Sequence, residues 1–283
     1  MHSSEWSLLF FTLLGQFSAG LATALLAYAT INRQHDGEEQ ARFFKIGLLI
    51  ATGTIGIALL ISFLHLSAPL SSVFSLTNLT SSWVGRNILM VSTYAASIIV
   101  TTMYWLFYKG KRSLLIPLLA ISSVLGLAMV LTMAKLYMIE AIPLWNTPGT
   151  LIAFYINTFL LGSSFALLLL YHSHKGNFER NVEIVFVFTI IGVLAVKFVS
   201  GLVGWDASTS QNVAFTGGLY HPIWDALSWA WLLGLGMLIR RVFPNPRDAD
   251  TGIRLYLLAF VFFMVAEFAA RVIFYSSNFR VGV

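Results

Sequence analysis

The chain of 283 residues contains no cysteine, and only 10% of its residues are charged. Without a thiolate it can make no disulfide, no cysteine-ligated zinc site and no iron–sulfur cluster of its own. So low a charged fraction cannot clothe a water-soluble surface, which ordinarily carries about 25% charged residues. Proline is also scarce, at 7 residues, so long stretches are free of helix breakers. What fills the chain is apolar: 58% of its residues are hydrophobic.

That apolar content falls into eight runs, near residues 7–31, 43–64, 84–108, 114–137, 149–171, 182–204, 223–242 and 253–275. A helix of about 20 residues, rising about 1.5 Å per residue, crosses a hydrocarbon core about 30 Å thick. Only helices and closed barrels satisfy every backbone polar group there, and the runs lack the strict alternation of barrel strands. The sequence therefore predicts an all-α polytopic membrane protein, a bundle of eight transmembrane helices forming one integral membrane domain over residues 1–283.

Basic residues set the expected orientation. Arg33, Arg42 and Lys45 flank the first connection, Lys109, Lys111 and Arg112 the third, Lys175 and Arg180 the fifth, and Arg240, Arg241, Arg247 and Arg254 the seventh. These are 12 of the 17 Lys and Arg, all on one side. The positive-inside rule makes that side cytoplasmic and places both termini outside. The net charge of +5 thus reports topology rather than affinity for nucleic acid.

The N-terminal MHSSEW lacks a basic region and precedes an apolar run too long for a signal peptide, so the first span is expected to stay in place. The outer loops, 65–83, 138–148 and 205–222, are rich in Ser, Thr, Asn, Gly, Pro and Trp. Such residues cap helices and close turns. Three polar, aromatic-edged loops on one face also suit a docking partner.

Histidine is placed unhelpfully for a haem. His2, His35, His172 and His174 fall in the tail or the basic loops, and His65 and His221 at the outer ends of spans two and seven. A haem held by His65 and His221 at the outer surface is conceivable, but no facing pair lies within the bundle, so the chain is expected to hold no haem and no metal.

Ionisable residues inside spans are costly and mark function by default. Those here are Arg86 at the start of span three, Lys135 and Lys197 in the outer parts of spans four and six, and Glu267 with Arg271 in span eight. Glu267 and Arg271 are spaced i, i+4, with Tyr275 one turn further along the same stripe. An ion pair between them is the structural reading, and a place in a ligand or proton path the functional one. Lys197 is too deep to reach water easily and is expected to meet an internal carboxylate or carbonyl. His65 ends its span in FLHLSAP, where a neutral imidazole could accept a hydroxyl proton near neutral pH.

Three segments then stand out in order: FTLLGQFSAG with Gly15, Gln16, Ala19 and Gly20; FLHLSAP followed by FSLTNLTSSW; and AEFAARVIFY with Glu267, Arg271 and Tyr275. Together they resemble the membrane-anchor subunit of the dimethyl sulfoxide reductase family, and length, span count and orientation agree over essentially the whole chain. The resemblance implies a haem-free anchor in the bacterial inner membrane that oxidises menaquinol. It implies partners as well: a four-cluster ferredoxin-like iron–sulfur subunit, docked on the periplasmic side, and beyond it a molybdopterin catalytic subunit.

Within that resemblance the quinol site is associated with the histidine that falls on His65 and with a glutamate whose position here is Asn87, preceded by Arg86. Asparagine can hydrogen-bond a quinol oxygen but cannot take its proton. The carboxylate role would pass to Asp206, Asp225, Glu140 or Glu267. The expected quinol-binding residues are His65, Arg86, Asn87, Glu267, Arg271 and Tyr275, with His65 as proton acceptor. Three other readings stay open: a quinone-reducing anchor, a purely structural anchor, and a secondary transporter, although no internal repeat or midplane polar group favours the last.

Overall fold

The computed structural model describes residues 3–32, 37–65, 75, 77–108, 112–142, 145–174, 180–212, 220–242 and 249–276. Eight helices follow in chain order: α1 (Ser3–Ile31), α2 (Glu38–His65), α3 (Trp83–Phe107), α4 (Arg112–Tyr137), α5 (Pro148–His174), α6 (Arg180–Asn212), α7 (Tyr220–Val242) and α8 (Ala249–Ser276). No strand occurs among the described residues. Seven helices are long and apolar enough to cross a membrane, and α7 adds a shorter apolar stretch, Leu227–Arg240, among the described residues. The chain is a polytopic helical membrane protein.

Local chemistry sets several of the helix ends. Ser82 caps α3, its hydroxyl accepting from the Gly85 amide at 3.2 Å, and Glu38 and Glu39 place negative charge at the start of α2. Pro148 opens α5, where a missing N–H costs nothing. The helix α6 runs on to Asn212, past the apolar run that ends near 204. Hydropathy marks where the bilayer stops, whereas backbone hydrogen bonding can carry a helix beyond it.

At the centre stand α1 and α5. Helix α1 packs on α2, α4, α5 and α8, while α5 packs on α1, α2, α4, α6 and α8. They cross at two glycines: a Cβ on Gly20 would lie 1.9 Å from the Thr158 carbonyl oxygen, and one on Gly162 would lie 2.2 Å from the Gly20 carbonyl carbon. Close approach of small residues is how helices gain contact where lipid offers no hydrophobic drive to associate.

Hydroxyl groups stitch α1, α2, α3 and α4 together. Ser18 donates to the Ala51 carbonyl at 2.8 Å and bonds the Tyr94 hydroxyl at 2.7 Å, joining α1, α2 and α3. Thr101 and Ser122 link α3 to α4 at 3.0 Å. At the basic end, Arg112 donates to the carbonyls of Ala29 and Asn32, closing the C-terminus of α1 with a cation, as the helix dipole favours.

Candidate functional site

Three of the charged residues expected within the spans, Lys197, Glu267 and Arg271, gather at the end of the bundle opposite the basic loops. Glu267, Arg271 and Tyr275 share one stripe of α8, and all three are buried. Glu267, however, forms its ion pair with Lys197 of α6 and not with Arg271. This corrects the expected pair within α8. The i, i+4 spacing permits that contact, but α6 presents a second cation to Glu267, and α1 and α5 present Arg271 with an amide oxygen and an aromatic face. Lys197 thus meets an internal carboxylate, and its ammonium also lies 4.1 Å from the centre of the Trp231 ring. Such a cation–π contact offsets part of the cost of removing an ammonium from water.

Arg271 donates from Nη2 to Gln16 Oε1 on α1 at 2.8 Å. Asn157 of α5 donates from Nδ2 to the same oxygen at 2.6 Å. The guanidinium carbon sits 3.8 Å from the centre of the Phe154 ring. Aromatic rings close the space above it. Trp145 stacks on Phe274 at 4.9 Å and donates its indole N–H to the Phe274 carbonyl at 2.9 Å, and the Tyr137 and Tyr275 rings meet at 5.5 Å. The Tyr275 hydroxyl bonds Thr12 of α1 at 3.1 Å. Lys197 and Arg271 face one carboxylate, so the group carries a formal excess of one positive charge. Where water is excluded, such an excess favours an electron-rich oxygen.

The other expected site residues part company. His65 ends α2, and its side chain lies outside the described residues, as do those of His221, Asp206 and Asp225. Arg86 turns back on the segment before α3: Nε donates to the Leu79 carbonyl at 2.7 Å, Nη2 donates to that of Thr80, and the guanidinium lies 4.3 Å from the Trp83 ring centre. Asn87, its neighbour, is buried and accepts from the Thr132 hydroxyl of α4 at 3.2 Å. Successive residues point about 100° apart on a helix, so Arg86 braces the loop while Asn87 faces α4. Neither bonds the Lys197, Glu267, Arg271 or Gln16 side chains among the described residues. Glu140 is exposed in the α4–α5 connection.

Sequence reasoning named Gln16 only as part of FTLLGQFSAG and did not single out Asn157. The available signal was an amide deep within an apolar run, which must find a partner inside the bundle. An apolar groove of about 520 Å³ runs between α5 and α6, lined by Leu151, Ile152, Tyr155, Phe159, Val193 and Val196. Its Tyr155 and Thr189 hydroxyls already donate to the Leu127 and Val185 carbonyls. It suits a hydrocarbon tail better than a polar headgroup. Among the described residues no cluster of His, Asp and Glu could hold a metal.

These features define a class: a helical membrane protein with a charged pair and a bonded arginine buried near one face. The family model for the DMSO reductase anchor subunit matches residues 1–276, and the protein belongs to that family. It is 26% identical over 286 residues to the C subunit of anaerobic dimethyl sulfoxide reductase from Escherichia coli (strain K12), an overlap spanning 99% of this protein and 96% of the relative. It is 27% identical over 295 residues to the anaerobic dimethyl sulfoxide reductase subunit YnfH of the same strain, with the same coverage. The C subunit of the Haemophilus influenzae enzyme is 24% identical over 286 residues, again with 99% and 96% covered.

Proposed function

We propose that this anchor subunit oxidises menaquinol at the periplasmic side of the bacterial inner membrane. It passes the two electrons to a four-cluster ferredoxin-like iron–sulfur subunit docked on its outer loops, which feeds a molybdopterin reductase such as dimethyl sulfoxide reductase. Quinol enters from the bilayer near the ends of α2 and α3, where His65 takes one proton and Asn87 or Arg86 steadies the other ring oxygen. Both protons leave to the outside, so the step moves no net charge across the membrane.

The observation that supports this reading is the buried Lys197–Glu267 pair beside Arg271 in the half of the bundle away from the basic loops. Charge at that depth costs insertion energy and is expected where protons or polar ligands are handled. The test is His65→Ala in membranes matched for complex level, comparing reduction driven by quinol with reduction driven by a dye that bypasses the membrane subunit. Quinol-driven turnover should fall about 10²- to 10⁴-fold, the usual contribution of a positioned proton acceptor, with dye-driven turnover unchanged. Quinol turnover near wild type would move the site elsewhere, first to Glu267 and Arg271.

A further inference from the structure

Gln16 and Asn157 are fully buried amides on the two central helices, and each leaves one of its two polar atoms without a partner among the described residues. Their orientations are dictated. Arg271 can only donate, so the Gln16 atom that faces it must be the oxygen, and Asn157, which meets that same oxygen, must offer its nitrogen. Both lone pairs of Gln16 Oε1 are then taken. Gln16 Nε2, a donor, and Asn157 Oδ1, an acceptor, are left without a partner among the described residues. Flipping either amide would set donor against donor or acceptor against acceptor, so rotation offers no escape. Leaving a buried polar atom unmet is costly, and two on amides that bond each other point to a ligand that satisfies both.

We propose that Gln16 Nε2 and Asn157 Oδ1 form a binding site for a single hydroxyl group, whose oxygen accepts from Gln16 and whose hydrogen donates to Asn157. The ligand must both accept and donate through one small atom, which excludes a carboxylate, an ammonium or a bare carbonyl. Two sources fit: an internal water, or one hydroxyl of the quinol itself. The water source stands independently of quinol oxidation; the quinol source rests on the quinol oxidation proposed above and places the second ring oxygen at Gln16 and Asn157 in place of Asn87 or Arg86. In either case the hydroxyl lies beside Arg271, near the surplus positive charge of the buried group.

Pulsed X-ray radiolysis of the intact complex in ¹⁸O-enriched water, read by mass spectrometry, tests the site. Radicals born on an internal hydroxyl label the side chains that touch it. Phe154 is fully buried, lies under Arg271 and sits one turn from Asn157, so bulk radicals do not reach it. Phe263 is equally buried in the apolar core and serves as the internal control. The expected result is ¹⁸O on Phe154 at several times the level on Phe263. In complex depleted of endogenous quinone, water fills the site whichever source is right, and adding menadiol, a naphthoquinol without a tail, separates the two: unchanged label shows that only water binds there, and lost label shows that the quinol hydroxyl displaces it. Equal labelling of the two phenylalanines, or none on Phe154, overturns the proposal. Asn157→Leu should abolish the Phe154 label, but the primary measurement needs no variant and survives if that one fails to accumulate. Because the readout is a label and not turnover, a failure of quinol oxidation in His65→Ala leaves this test intact.

Discussion

Gly20 of α1 and Gly162 of α5 meet backbone to backbone, so that a Cβ on Gly162 would lie 2.5 Å from the Gly20 carbonyl oxygen and 2.6 Å from its Cα. The two helices that carry Gln16 and Asn157 are held together at this crossing. The site therefore depends on the absence of two methyl groups.

Gly162→Ala should destabilise the bundle by at least about 1–3 kcal/mol, the usual cost of overpacking, because the clash is with main chain and not with the end of a movable side chain. Lower yield of monodisperse protein and a lower melting temperature in detergent are the expected outcomes. Gly53, whose Cβ would meet nothing within 4 Å, is the matched control, and Gly53→Ala should be tolerated.

Lys197→Met should be more harmful than the double variant Lys197→Met with Glu267→Met. The single change strands a buried carboxylate, at a cost of about 3–5 kcal/mol, whereas removing both charges is often neutral or stabilising. Folded protein measured by size-exclusion chromatography should recover in the double variant. If the pair serves proton handling as well as folding, quinol-driven turnover should stay low in that variant although the protein accumulates.

Reporter fusions test the orientation. A reporter after residue 36, 110, 176 or 248 should read as cytoplasmic and one after Val283 as periplasmic, because the Lys and Arg cluster on one side. A cytoplasmic C-terminus would overturn the eight-span arrangement.

Purified without its partners, the protein should show no haem absorption and no stoichiometric iron. It has no cysteine, and its sequence sets the six histidines in loops or at span ends rather than as a facing pair inside the spans. A b-type band in a reduced-minus-oxidised spectrum would contradict this.

The eight helices were legible because apolar runs of membrane-spanning length leave the backbone no alternative to internal hydrogen bonding. The depth of Glu267, Arg271 and Lys197 was legible for the same reason: a charge inside such a run declares itself. Position along a helix does not say which neighbour a side chain meets. By spacing alone, Glu267 belonged with Arg271; packing gave it Lys197, 70 residues away, and gave Arg271 to Gln16, 255 residues away. Asn157 signalled only that it must find a partner inside the bundle, since an amide among apolar residues does not say which partner. Arg86 and Asn87 stand side by side in sequence yet serve different interfaces, because a helix turns each residue to a new direction. Hydropathy, charge bias and the absence of cysteine are one-dimensional properties, and they determined the class of protein, its spans and the chemistry it cannot perform by itself. The pairing of buried groups is a property of helix faces, and only the packing of α1 against α5 and α8, with Lys197 reaching across to α8, decided it.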